Sequence, residues 1–145
     1  MQIEGVLNRK RFLSLMGVSA SALVMLGCLG CSKSSGGNSE AAPSNVNFTL
    51  DLTAPANSAL SKNGGYLVTN GIIVARTNMG NYLAVQQSCT HEQYPLTYQP
   101  ENFRFYCNNH GASFNEKGIV TGGPTNRSLT VYSTQLTGTS LTVHS

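Results

Sequence analysis

Hydrophobic and polar positions divide the chain into three parts. The first is an apolar run from Phe12 to Leu26, broken only by small residues and preceded by the basic stretch Arg9-Lys10-Arg11. It is too short, and too rich in Gly and Ser, to span a membrane comfortably, and it has the form of an export-signal core. The second part, residues 32–45, is mostly Ser, Gly, Asn and Ala with Pro43. Such a segment has no apolar surface to bury and reads as a flexible tether. The third begins near Val46 and alternates with the period of two expected of strands. In "NFTLDL" (47–52), Phe48, Leu50 and Leu52 share one face. In "GYLVTNGIIVART" (65–77), two apolar runs flank Asn70-Gly71, a strong hairpin signal. "NYLAVQQ" (81–87), "FRFYC" (103–107), "SLTVYS" (128–133) and "SLTVHS" (140–145) complete the set. No stretch sustains a 3.6-residue period. The pattern predicts an all-β domain over 46–145, a small antiparallel sandwich or barrel.

The end of the apolar run, "VMLGCLGCSKSSGGNSE", places a small residue before each of two cysteines and resembles the lipobox of bacterial lipoproteins. Cys28 has the better upstream residues and Cys31 the more usual polar continuation; both are lipidation candidates, and residues 1–31 form the signal region. Acylation contributes about 0.8 kcal/mol of membrane affinity per buried methylene, so several chains would tether the protein to the cell envelope. A Cys28–Cys31 disulfide in a discarded peptide is the alternative. The segment "NRKRFL" also resembles a twin-arginine signal with Lys10 in the second arginine position, and the general secretory route accepts the same charges.

Charge adds little. The net +3 sits largely in the signal, and cutting before Cys31 leaves six basic and five acidic residues. No basic stripe is interleaved with aromatics, so no nucleic-acid partner is expected.

The chemistry concentrates in "SCTHEQYPLTYQPENFRFYCNNHGASF". Two mixed pairs, Cys89-x-His91 and Cys107-x-x-His110, lie within 22 residues, each after a predicted strand. Two loops at strand ends can meet around a metal. One zinc with two Cys and two His is one solution, although finger-type zinc sites usually group Cys with Cys and His with His and continue into a helix. A two-iron, two-sulfide cluster is the other. There each loop presents a thiolate to one iron and an imidazole to the second.

"CTH" at 89–91 and "CNNHG" at 107–111, with 15 residues between and Gly123-Pro124 downstream, resemble the two cluster motifs of the Rieske iron–sulfur proteins. The resemblance runs from about Leu60 to the C-terminus. It implies a Rieske-type β-sandwich with a two-loop cluster subdomain and a [2Fe-2S] cofactor. Cys89 and Cys107 would bind the inner iron, and His91 and His110 the outer, more exposed one. Gly122, Gly123 and Pro124 would form the loop that covers the cluster. Imidazole in place of two thiolates raises the potential to about −150 to +300 mV.

Departures from the family pattern refine this. High-potential members tie the loops with a disulfide; here "EQYPL" follows His91, and Asn109 stands where the second cysteine would be. Those members also carry Ser and Tyr hydroxyls on the cluster sulfurs where this chain has Ala112 and Phe114, which predicts a potential in the lower half of the range. The resemblance further implies a midpoint that falls with rising pH in the alkaline range. Among the aromatics Tyr94, Tyr98, Phe103, Phe105 and Tyr106, most are expected in the core or shielding the cluster, and His144 at the surface.

A catalytic oxygenase needs a second domain with a two-His, one-carboxylate iron. The remaining chain has no room for one, so neither catalysis nor a small-molecule substrate is expected. The expectation is an exported, membrane-tethered one-electron carrier with a redox partner protein. The alternatives are an electron-delivering subunit of a larger oxidoreductase and a zinc-stapled structural lipoprotein.

Overall fold

The computed structural model describes residues 42–145. The predicted signal region, both lipidation candidates Cys28 and Cys31, and the tether up to residue 41 lie outside the described residues. Ten strands follow: β1 (Asn47–Asp51), β2 (Tyr66–Thr69), β3 (Ile72–Arg76), β4 (Tyr82–Gln86), β5 (Thr97–Gln99), β6 (Arg104–Tyr106), β7 (Ser113–Asn115), β8 (Val120–Gly122), β9 (Val131–Thr137) and β10 (Ser140–His144). Short 3₁₀ segments at Pro55–Ser61 and Pro100–Asn102 each start with proline, whose fixed φ suits a first helical position. Among the described residues, no helix is long and apolar enough to cross a membrane.

The strands form two antiparallel sheets, as the period-two pattern predicts. One has six strands in the order β1-β10-β9-β4-β3-β2, and the other is a four-stranded meander, β5-β6-β7-β8. The meander is inserted between β4 and β9. The hairpin at Asn70-Gly71 forms as expected, with φ of 52° and 72° at the two turn residues. Both central positions of a type I′ turn need positive φ, and Asn followed by Gly supplies it at least cost.

Strand β3 explains why "IIVA" is apolar throughout. Ile72 and Val74 join one core with Leu60, Ala84, Tyr132, Leu141 and Val143. Ile73 and Ala75 point the other way, into a second core with Val85, Leu96, Tyr98, Phe105, Phe114, Leu129 and both cysteines. A strand covered on both faces loses its polar alternation. The second core lies between the meander and the β3–β4 face, so Cys89 and Cys107 are part of the packed interior.

Several boundaries differ from those read in the sequence. The strand expected over 128–133 begins only at Val131 and runs to Thr137. Residues 128–130 bond elsewhere: Leu129 N–H donates to Gly118 O at 2.8 Å and Thr130 N–H to Gln86 Oε1 at 2.8 Å. Phe103 leaves the strand expected at 103–107 because it caps the preceding 3₁₀ turn in the left-handed region, φ 52°. The strands β4 and β6, which precede the two cysteine loops, belong to different sheets rather than neighbouring positions in one. At the N-terminal side, Tyr132 Oη donates to Pro43 O at 2.8 Å, so packed contacts reach three residues before Val46.

Candidate metal centre

The two cysteine loops share one backbone frame. Cys89 N–H donates to Tyr94 O at 2.8 Å, and Gln93 N–H donates back to Cys89 O at 2.8 Å. In the second loop Cys107 N–H donates to Ala112 O at 2.9 Å, and Gly111 N–H to Cys107 O at 2.9 Å. Each loop therefore closes from the cysteine to the fifth residue on, and from the fourth residue back. That fourth position needs left-handed backbone in both: Gln93 has φ 58° and Gly111 φ 75°. Glycine adopts this conformation freely and glutamine does so against its Cβ.

This frame turns both thiols inward. Cys89 is 1 % exposed and Cys107 0 %, and neither forms a disulfide. Burial pushes the Cys89 thiol above its ordinary range. The His91 N–H, 3.5 Å from Cys89 Sγ, works against that, while the adjacent Cys107 adds to it. The Cys89 thiol therefore resists becoming a thiolate unless a cation compensates it.

The imidazoles come together at the outer edge of the same spot. The rings of His91 and His110 are 4.8 Å apart, nearly perpendicular, and Tyr94 packs edge-on against His110 at 5.3 Å. His91 Nδ1 is buried without a hydrogen-bond partner, an orphan that costs free energy unless something ligates it. His110 is the exposed member, with 31 % of its side chain accessible; Glu92 Oε2 lies 3.4 Å from its Nε2 and Asn109 Nδ2 2.9 Å. Donor atoms of His91, Glu92 and His110 all lie within 4.8 Å of one another. Two inward thiols, an orphaned ring nitrogen and an outer imidazole fit a metal centre that is buried on its sulfur side and open on its nitrogen side.

The expected covering loop lies against this spot. Gly123 has φ 95°, and a Cβ there would fall 2.4 Å from Ala112 Cα, so only glycine allows the approach. Gly122 closes β8 and Pro124 is exposed. Ala112 and Phe114 are fully buried in the core that holds both cysteines. Ser113 Oγ pairs with Thr121 Oγ1 at 3.0 Å, and its side chain is not part of the buried core that holds the cysteines. His144 lies on β10, in the other sheet, as a half-buried side chain. Of the aromatics, Tyr98 and Phe105 are core residues, Tyr94 and Phe103 are 45 % and 54 % exposed, and Tyr106 is half-buried under Arg104.

Sequence reasoning missed four supporting residues. Gln93 carries the left-handed turn. Buried Gln86 bonds Ser88 O at 2.7 Å through its amide nitrogen and receives the Thr130 N–H, pinning the approach to Cys89. Thr90 and Arg127 bond across the site. None carries a local signal: Gln93 is an unexpected residue for a left-handed turn, and Gln86, Thr90 and Arg127 bond partners distant in the chain.

The Rieske [2Fe-2S] domain family model matches residues 54–133. Among solved structures, the chain is similar to the cyanobacterial plasma membrane Rieske protein PetC3 from Synechocystis PCC 6803. Identity is 31 %, the TM-score is 0.51, and the match covers 66 % of this chain and 92 % of that one. The reduced complex between oxygenase and ferredoxin in carbazole 1,9a-dioxygenase shares the fold at 11 % identity, with a TM-score of 0.56 over 71 % of this chain and 29 % of the other. A quaternary ammonium Rieske monooxygenase does so at 14 % identity, with a TM-score of 0.52 over 71 % and 31 %. No curated protein matches. With more than half its length matched and its two cysteine–histidine loops folded onto one spot, the chain belongs to the Rieske [2Fe-2S] domain family.

Proposed function

We propose that this protein is a one-electron carrier whose [2Fe-2S] cluster is held by Cys89 and Cys107 at the inner iron and by His91 and His110 at the outer one. The observation that carries the reading is the polarity of the donor set: both thiols fully buried, one imidazole nitrogen orphaned beside them, and His110 open to solvent. When bound, the cluster supplies reversible one-electron chemistry. The chain's own residues exclude water from the sulfur side, orient the imidazoles and leave an accessible edge for a redox partner.

The potential lies in the lower half of the Rieske range. Ala112 and Phe114 offer no hydroxyl, Ser113 pairs with Thr121, and Asn109 stands where a loop-tying cysteine would be. The carrier has no substrate chemistry of its own and delivers its electron to a partner protein, as a free shuttle or as a subunit of a larger oxidoreductase. Export, a signal and lipobox region over 1–31 cut just before the acylated cysteine, Cys31 or Cys28, and a tether over 32–45 leading to the 46–145 domain complete the proposal. The apolar run and paired cysteines of the N-terminal sequence support this part, with the cell envelope as its location.

Iron and acid-labile sulfide content tests the carrier. Two of each per chain, with a visible spectrum that dithionite bleaches and air restores, is the expected result; one zinc and no sulfide contradicts it. Detergent-phase partition of the full chain, abolished by Cys31→Ser or Cys28→Ser, tests the anchor. A chain that stays in the aqueous phase rules the anchor out.

A further inference from the structure

The lid does more than cover the site: it is fastened to both ligand loops at once. On one side Gly123 lies against Ala112, at the end of the Cys107–His110 loop, at a distance that only glycine permits. On the other side the fastening is polar and centres on Thr90, the residue between Cys89 and His91. Thr90 is 9 % exposed, and its hydroxyl donates to Arg127 O at 2.6 Å. Thr125 Oγ1 lies 3.1 Å from the same hydroxyl and accepts the Arg127 N–H at 3.2 Å. With the Thr90 proton directed at the Arg127 carbonyl, Thr125 is the donor to Thr90 Oγ1. The Arg127 guanidinium then returns across the loop, donating from Nη2 to Thr90 O at 2.8 Å. Both polar groups of the Thr90 side chain and carbonyl are thus held by residues 35 and 37 positions further on.

We propose that Thr90, Thr125 and Arg127 form a non-covalent clasp that positions the Cys89–His91 ligand pair and, through the lid, locks it to the Cys107–His110 pair. This rests on the ligand assignment proposed above. The physical reason is that no disulfide ties the two loops: among the described residues the only cysteines are Cys89 and Cys107, the proposed ligands themselves. Without a further tie, either loop can draw its Cys–His pair away from the shared cluster. A peptide carbonyl held by a charged donor, with the adjacent hydroxyl bonded twice, removes that freedom at the residue between two ligands. Arg127 and Thr90 are positioning residues, since neither offers an atom to the metal.

The test uses the full chain as isolated with its cluster. Release of iron to an excess of chelator is followed by loss of visible absorbance in wild type, Arg127→Ala, Arg127→Lys, Thr90→Val and the Arg127→Ala/Thr90→Val double variant. Arg127 is exposed and valine matches threonine in shape, so the strands should be left intact; thermal unfolding checks this. The clasp predicts several-fold faster release in Arg127→Ala and in Thr90→Val. The double variant should be at least as fast as the faster single one, because Arg127→Ala removes the bond to Thr90 O and Thr90→Val removes the bonds of its hydroxyl. Arg127→Lys, which keeps a charged donor, should release close to the wild-type rate. The reduced EPR lineshape should shift in the two single variants, as the Cys89–His91 pair loses its fixed orientation. Release rates unchanged in both single variants, or a lysine variant as fast as the alanine one, would overturn the clasp. So would faster release that merely follows an equal fall in the unfolding midpoint. A wild-type protein with no iron or sulfide would instead overturn the cluster reading itself, and the clasp with it.

Discussion

At the scale of single residues, the cluster's surroundings are set by what two side chains lack. Ala112 and Phe114 are buried beside both cysteines and carry no hydroxyl. A hydroxyl on cluster sulfur favours the state with the added electron. A net hydrogen bond of about 1 kcal/mol felt only by that state corresponds to roughly 40 mV for one electron. Ala112→Ser and Phe114→Tyr are each expected to raise the midpoint by about that much in protein-film voltammetry, and an unchanged midpoint in both would show that these positions do not reach the sulfurs. The four ligand-type residues were legible in the sequence because metal chemistry demands particular side chains at short spacings. Gln86, Thr90 and Arg127 were not, because a Gln, a Thr and an Arg are unremarkable in sequence until the fold brings their partners to them.

The loops are the elements that matter most, and their common frame was hidden. Gly111 is an ordinary candidate for a left-handed turn; Gln93, at the matching position of the other loop, gives no such sign. Placing a side chain in that region costs about 1–2 kcal/mol. Gly111→Ala should therefore lower stability by that amount, with little added clash, since the nearest atom to a new Cβ is Tyr106 Oη at 3.6 Å. Gln93→Gly should do the reverse, up to the entropy that glycine adds to the unfolded chain. Denaturant unfolding of both variants checks the pair: loss in the first and gain or no change in the second are expected, and a substantial loss in the second would mean that the Gln93 side chain is doing something else. The hairpin at Asn70-Gly71 was readable because its turn chemistry is local. Strands β5, β7 and β8 were not, since three residues are too few to display alternation, and their pairing partners alone define them.

At the scale of the whole molecule, the all-β reading holds while the division of labour between sheets emerges only from the fold. Six strands build a body, and the inserted meander closes over the β3–β4 face to make the second core, in which the thiols are buried. That core contains a titratable group of its own. Burial, and then the Glu116 carboxylate that accepts the Tyr98 hydroxyl, push the Tyr98 pKa well above the usual tyrosine value. Burial moves Tyr132 in the same direction. A group whose folded pKa is raised contributes stability that is fully present below its unfolded pKa, about 10 for tyrosine, and that is lost as pH rises beyond it. Stability to denaturant should therefore hold steady between about pH 7 and 9 and fall above about pH 10. Tyr98→Phe should be less stable at neutral pH, having lost the bond to Glu116, and should fall less steeply in the alkaline range. An equally steep fall would show that Tyr98 is not the group responsible.

The proposed carrier requires an asymmetric cluster with both imidazoles on its outer side. Pulsed EPR of the dithionite-reduced protein, reading nitrogen hyperfine couplings, tests this most directly. Two directly coordinated imidazole nitrogens are expected, reduced to one when His110 is replaced by cysteine, the exposed ligand exchanging nitrogen for sulfur. A reduced protein without nitrogen coupling, or one that is silent because it holds zinc, would contradict it.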